Sequence, residues 1–257
     1  MAFDLSSISK TSNIKPPICI FYGVAGVGKT TLLASAPNAI FIQAEDGDGI
    51  LEVDAFPRVT DFNQVVSAIS SLINEDHSFK WLVIDTLSAL QQLVFSSVCE
   101  ENKVNSIEEI SYGKGYAFAL AKWQLLLSLL IELRDRKGMA TALIAHSDVF
   151  SFHNPEGEDY DRYNMSLDKR ALKLFNERTD IIGFINYKTY IKKTDTDKKA
   201  KGVDGGRTLY LRETPAFIAK NRYKLPDELP IPDCDDPWQY FQSAFTNAIN
   251  NRGKNNG

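Results

Sequence analysis

Apolar residues along this chain fall into short unbroken runs separated by stretches of helical spacing. Ile18 to Tyr22, Ala39 to Ala44, Trp81 to Thr86 and Ala140 to His146 each read as a buried strand, and the third is four apolar residues running into Asp85. Helical spacing covers Thr31 to Ala36, ended by Pro37, and Phe62 to Ile73, where Asp61 is the cap and Gln64 stands in capping-box position. It recurs over Leu87 to Glu100, Tyr116 to Lys137 (closed by Gly138), Asp168 to Glu177 and Trp238 to Ile249. Strands that are apolar throughout and alternate with helices predict a mostly parallel sheet covered on both faces, a three-layer α/β fold.

The pattern changes after the fourth strand. Ser147 to Asn164 is polar and predicts a long loop, of the kind that is functional or disordered inside a compact domain. Asp180 to Lys193 predicts a long strand, joined through a Lys/Asp/Gly-rich loop (194–206) to strands at Thr208 to Leu211 and Phe217 to Ala219. This C-terminal edge reads as antiparallel, followed by an irregular crossing at Pro226, Pro230 and Pro232. Residues 1–15 form a tail or a subunit-docking arm, 16–250 one domain, and 251–257 a flexible tail.

Composition narrows the class. A length of 257 residues with 44% hydrophobic content suits one α/β domain, and a net charge of -4 excludes a globally basic nucleic-acid binder. Cys19, Cys99 and Cys234 are far apart and form no CxxC pair, which argues for free thiols in a reducing compartment and against a zinc site. No apolar run reaches the length of a membrane span and the start lacks a signal-peptide core, so the expectation is a cytoplasmic protein with no membrane partner.

Chemistry enters at the end of the first strand. Gly23-Val24-Ala25-Gly26-Val27-Gly28-Lys29-Thr30, followed by Thr31, is GxxxxGK[ST] between a strand and a helix, the phosphate-binding loop in its required context. A random chain of this length shows the pattern in roughly 1% of cases, before the flanking elements are counted. Loop N–H groups and the helix N-terminus would face the phosphates of ATP, Lys29 would reach the β- and γ-phosphates, and Thr30 would ligate Mg²⁺. Asp85, at the end of an apolar strand, suits the second metal-directed position. The residue after it is Thr86, not an acid, so a water-orienting base must come from elsewhere. Glu45 is the natural candidate, at the end of a second strand expected beside the phosphate-loop strand, with Asp46 and Asp48 as rivals.

Together these pieces resemble the core of RecA-type recombinases and hexameric helicases. That family carries its water-orienting glutamate at the position of Glu45 in Phe41-Ile42-Gln43-Ala44-Glu45. Its γ-phosphate sensor, a Gln or Asn, corresponds here to His146, a departure from the pattern. The family completes its site with a basic pair from the neighbouring subunit, and Lys220-Asn221-Arg222 has that spacing. Tyr112-Gly113-Lys114-Gly115-Tyr116, Trp123 with its Leu-rich helix, Ile144-Ala145-His146 and Ala219 to Pro226 are similar to the core-only phage and prophage members associated with single-strand annealing.

The resemblance implies an ATPase that forms a ring or filament with ATP between subunits and binds single-stranded DNA. It also implies annealing or strand pairing in phage-type recombination, with a single-stranded-DNA-binding protein as a further partner. DNA would run along the segments after the third and fourth strands, where Lys114, Tyr116, Arg162, Tyr163, Lys169 and Arg170 supply cations and stacking rings. From Lys188 to Arg207 there are seven basic and three acidic residues, either a solubilising hairpin tip or a DNA contact. Alternatives are a DNA-translocating motor or helicase loader on the same core, a small-molecule P-loop kinase, and a nucleotide-gated scaffold.

Overall fold

The computed structural model describes residues 4, 14–45, 51–192 and 201–254. In chain order the strands are β1 (Ile18–Gly23), β2 (Ala39–Gln43), β3 (Asp54–Ala55), β4 (Trp81–Asp85), β5 (Ala140–Phe152), β6 (Tyr160–Met165), β7 (Ile181–Lys192), β8 (Lys201–Tyr210), β9 (Lys220–Asn221) and β10 (Glu228–Pro230). The helices are α1 (Lys29–Ala34), α2 (Phe62–Asn74), α3 (Leu87–Asn102), α4 (Lys114–Lys137), α5 (Lys169–Arg178) and α6 (Trp238–Lys254).

Sheet order is β10-β8-β7-β1-β5-β4-β2-β3, with β6 paired to β5 and β9 to β7. The block from β7 to β3 is parallel, and β8, β9 and β10 add antiparallel edges. Alternation along β1 builds both layers. Ile18, Ile20 and Tyr22 face a core made with α2, α3, α4 and α5, while Cys19 and Phe21 face a core made with α1 and α6. Trp238 and Phe241 of α6 make edge-on ring contacts to Phe21 at 6.1 and 5.4 Å, contacts of about 0.5–1.5 kcal/mol beyond area burial.

The expected α/β three-layer architecture is therefore present, and several local expectations change. Glu45 follows a strand that does not touch β1, because β5 and β4 stand between β1 and β2. The two later strands, β4 and β5, take the central places between them. Ser147 to Asn164 is not a loop. β5 continues through it to Phe152 and turns back antiparallel through β6, with Ser147 opposite Met165 and Phe152 opposite Tyr160. Its Asn154-Pro155-Glu156-Gly157 tip is a tight turn in which Glu156 N donates to Asn154 Oδ1 at 3.1 Å. Phe217 to Ala219 forms only bridges to Tyr163 and Thr214, and the pairing with β7 starts at Lys220. Glu228–Pro230 pairs with β8 inside what reads as an irregular crossing. The helix expected to stop at Ile249 runs to Lys254.

Caps agree closely with the pattern. Asp61 accepts from Gln64 N at 3.0 Å, although the Gln64 side chain reaches back to Thr60 N rather than to Asp61. Gly138 closes α4 in the left-handed region at φ 65°. By length and composition alone, α4 with its preceding turn meets the criterion for a membrane span, contrary to the expectation that no run would. Ala119, Trp123, Leu126, Leu127, Leu130 and Leu133 are fully or almost fully buried against the rest of the domain, which accounts for its apolar content.

Candidate active site

β1 ends at Gly23, in register with Ile185 of β7 and with His146 of β5. A Cβ at Gly23 would lie 2.2 Å from the Ile185 carbonyl oxygen, so only glycine allows that strand approach. The chain then turns through Val24, Ala25, Gly26 and Val27 and enters α1 at Lys29. Gly28 holds the N-cap at φ 87°, and no side chain caps the helix. Val27 anchors the turn in the core, while Ala25 and Thr31 are exposed. The first N–H groups of α1 are left for an anion.

Lys29 is buried and its Nζ lies back across the loop, donating to Gly23 O at 3.0 Å and Val24 O at 2.9 Å. Burial pushes the Lys29 pKa down, against the pull of Asp85 and Glu45. Thr30 Oγ1 donates to Asp85 Oδ2 at 2.8 Å. Burial also raises the Asp85 pKa and Glu45 adds to the rise, while the Thr30 hydrogen bond, Lys29 and His146 oppose it. Thr30 and Asp85 are hard oxygen donors in contact, a set that suits Mg²⁺ held jointly with nucleotide phosphates. Among the described residues no group of three or more His, Cys, Asp or Glu could hold a metal unaided.

Glu45 reaches the site although β2 lies two strands away. Ala44 N donates to Asp85 O at 2.7 Å and draws the end of β2 towards the end of β4. The Glu45 carboxylate then accepts from Thr86 Oγ1 and lies 3.1 Å from His146 Nε2. Thr86 is buried and also caps α3, with its Oγ1 accepting from Ala89 N at 3.2 Å. Its hydroxyl thus occupies the place where many P-loop ATPases carry an acid, and it holds the acid of another strand. His146 is oriented through its backbone, whose N–H donates to Ser88 Oγ at 3.1 Å. The rival acids Asp46 and Asp48 lie outside the described residues.

Residues 15–223 match the family described as an AAA domain. The chain belongs to the AAA-domain family of P-loop ATPases. A comparison with curated proteins finds no match. The matched region of the AAA domain runs from the residues just before β1 to Tyr223 and contains every element that carries Gly23 to Thr31, Glu45, Asp85 and His146.

The basic pair sits elsewhere. Lys220 and Asn221 pair with Ile182 and Ile181 at the start of β7, the end of the sheet opposite the phosphate loop. Lys220 Nζ donates to Asn176 O at 2.5 Å, Arg222 donates to Glu177 O at 3.0 Å, and Arg222 also pairs with Asp180 at 3.2 Å. Both cations close the C-terminus of α5 in their own chain. Desolvation lowers the Lys220 pKa and Arg222 beside it lowers it further.

The six residues considered for DNA divide into two sets. The Arg162 side chain is only 11% exposed and is paired with Glu213 at 2.8 Å, and Tyr163 stacks on Phe184 at 5.1 Å, so both serve the core of the hairpin base. Lys114, Lys169 and Arg170 are exposed where the starts of α4 and α5 meet, and Arg170 donates to Gly113 O at 3.3 Å. Tyr116 is half-buried, donating to Glu108 at 2.8 Å. Beside this cluster Tyr112 is 97% exposed, a ring that the sequence marks only through its glycine and lysine neighbours.

Arg207 of β8 also escapes sequence reasoning, where it appears only as the last of a basic run. Its guanidinium donates to Val27 O at 3.4 Å and to Pro232 O at 3.3 Å and pairs with Asp233. Only the sheet order, with β8 one strand beyond β7, brings it to the phosphate loop.

Proposed function

We propose that this AAA domain hydrolyses ATP with Mg²⁺, assembles on single-stranded DNA and promotes annealing or strand pairing of the phage recombination type. The observation that carries the hydrolytic part is Glu45, held by Thr86 and His146 beside the Thr30–Asp85 pair. A carboxylate so placed can orient a water for in-line attack on the γ-phosphoryl group, while loop N–H groups and Lys29 neutralise the phosphates. Bound Mg²⁺ would supply charge stabilisation and template the phosphates.

The DNA part is supported by position. β5 carries His146 beside Gly23 and continues without interruption into the β5–β6 hairpin, a direct connection from the phosphate loop to that hairpin. Tyr112, Lys114, Lys169 and Arg170 offer a ring for stacking and cations for phosphates. Assembly with Lys220 and Arg222 completing a neighbour's site, and cooperation with a single-stranded-DNA-binding protein, are parts of the same proposal.

ATP turnover and particle size, measured on the same samples with and without single-stranded DNA, test it. Stimulated turnover together with growth of the particle is expected. Turnover that ignores DNA over a range of salt overturns the DNA part. Strand displacement without annealing would favour a motor or helicase loader.

A further inference from the structure

Arg207 lies across the outer turn of the phosphate loop, and its environment is unusual for an arginine. Its side chain is 12% exposed, while the carboxylate of Asp233 paired with it is 93% exposed. Its other two partners are neutral carbonyls, Val27 O at 3.4 Å and Pro232 O at 3.3 Å. The backbone is pinned as well, because Ile231 N donates to Arg207 O at 2.9 Å. A guanidinium withdrawn from water, whose carboxylate partner is screened by solvent, leaves a positive field that is only partly compensated.

That field falls on Gly28 and the start of α1. A Cβ built on Gly28 would lie 2.1 Å from Arg207 Nη1, so the guanidinium occupies the space behind the glycine. The register explains how it gets there. Ile185 of β7 pairs with Gly23, and Tyr187, two residues further along, pairs with Arg207. Arg207 therefore stands just past the carboxyl end of β1, at the level of the loop. Lys29 leaves from the inner side of the same turn, so the two cations flank the loop.

We propose that Arg207 is a positioning residue for nucleotide phosphates, bracing the phosphate loop from outside through Val27 and Gly28, with Asp233 as the counter-charge that tempers it. The proposal rests on nucleotide binding by this loop. It requires no neighbouring subunit and differs in that respect from Lys220 and Arg222. Bracing the loop backbone does not depend on the γ-phosphate, so Arg207 favours ADP and ATP alike and acts on binding rather than on the chemical step.

Calorimetric titration of the full chain with Mg-ADP and with Mg-ATP, steady-state kinetics and melting without nucleotide test this together. Arg207→Ala is expected to weaken both nucleotides about tenfold, the equivalent of about 1.4 kcal/mol, and to raise KM while kcat stays within about twofold. Arg207→Lys should recover part of the loss, and Asp233→Asn should tighten binding about two- to threefold by removing the counter-charge. Unchanged affinities in Arg207→Ala, with Lys29→Ala abolishing binding, overturn the role of Arg207 and leave nucleotide binding intact. A fall in melting temperature that accounts for the whole effect, with no recovery in Arg207→Lys, overturns it in favour of a purely structural role. A wild-type chain that binds neither nucleotide overturns this proposal and the reading beneath it.

Discussion

His146 and Glu45 stand 101 positions apart in the chain, yet His146 Nε2 lies 3.1 Å from Glu45 Oε1. The contact spans β4, since Glu45 follows β2 and His146 belongs to β5. Thr86, at the end of the intervening β4, donates to the same carboxylate. The ends of β2 and β4 and the middle of β5 thus converge on one acid, and the two side chains that hold it have their own backbones fixed by α3, Thr86 O accepting from Leu90 N and His146 N donating to Ser88 Oγ.

Glu45→Gln keeps the shape of this arrangement and removes its charge. Turnover of ATP is expected to fall by about 10²–10⁴, the usual contribution of a positioned acid–base group, with nucleotide affinity within about threefold. Single-turnover kinetics alongside direct binding check both halves. A chain that binds normally and turns over at the wild-type rate would remove Glu45 from the chemistry.

His146 touches Glu45 and lies on the strand that leads to the hairpin. Glu45→Gln and His146→Ala together should cost less than the sum of the two single losses, because both variants disable one unit. A double-mutant cycle on kcat measures this. Additive losses would mean that the two side chains act independently.

Asp85→Asn separates stability from function. Burial raises the Asp85 pKa, so the folded chain retains a proton that the unfolded chain has already released. That contribution to stability is fully present below the unfolded value and is lost as pH rises through the folded one, where the carboxylate ionises in a desolvated place. Asp85→Asn should therefore gain in melting temperature over the nucleotide-free wild-type chain as pH rises, and lose this advantage in acid. It should also lose the dependence of nucleotide binding on Mg²⁺. A change of about 1 kcal/mol moves the melting point of a domain this size by about 2–4 °C, within reach of calorimetry.

Lys220 and Arg222 close α5 in their own chain, at the end of the sheet away from their own phosphate loop. Replacing either by Ala should cost about 0.3–1 kcal/mol of stability, the usual scale for a cation at a helix C-terminus. If they also complete a neighbour's site, the Lys220→Ala/Arg222→Ala chain mixed with a Lys29→Ala chain will regain turnover that neither shows alone. Turnover of the mixture no greater than the sum of its parts assigns them to helix capping only.

Tyr112, Lys114 and Arg170 should behave differently from Arg162 towards single-stranded DNA. Tyr112→Ala is expected to weaken binding by about 1–3 kcal/mol, the scale of one stacked base. Lys114→Ala or Arg170→Ala should each reduce the salt slope by about 0.7. Arg162→Ala removes a pair to Glu213 and the cation over the Phe152 ring, so its effect should appear in melting rather than in the salt slope. Binding titrations across salt concentrations distinguish them.

Much of the fold is legible because its strands are buried on both faces. Runs such as Ile18 to Tyr22 and Leu82 to Ile84 carry a strong signal that needs no partner to be recognised. The β5–β6 hairpin is illegible for the opposite reason. Asp148, Val149 and Ser151 are exposed and Phe150 is half-buried, so two polar ribbons support each other by backbone hydrogen bonds and leave little side-chain pattern. Lys220 and Arg222 show a related limit. Their spacing correctly puts both side chains at one place, where both reach Glu177 O, but spacing does not say which carbonyls or phosphates wait there.

The sequence by itself determined the phosphate loop, Asp85 at the end of its apolar strand and the alternating α/β architecture, since these depend on residues close together in the chain and on local periodicity. Tertiary structure alone decided which strands lie between β1 and β2, that Thr86 and His146 hold Glu45, and that Arg207 stands behind Gly28. Those relationships depend on strand order and register. They arise from competition among apolar strands for the centre of the sheet, a property of the whole chain that no local pattern encodes.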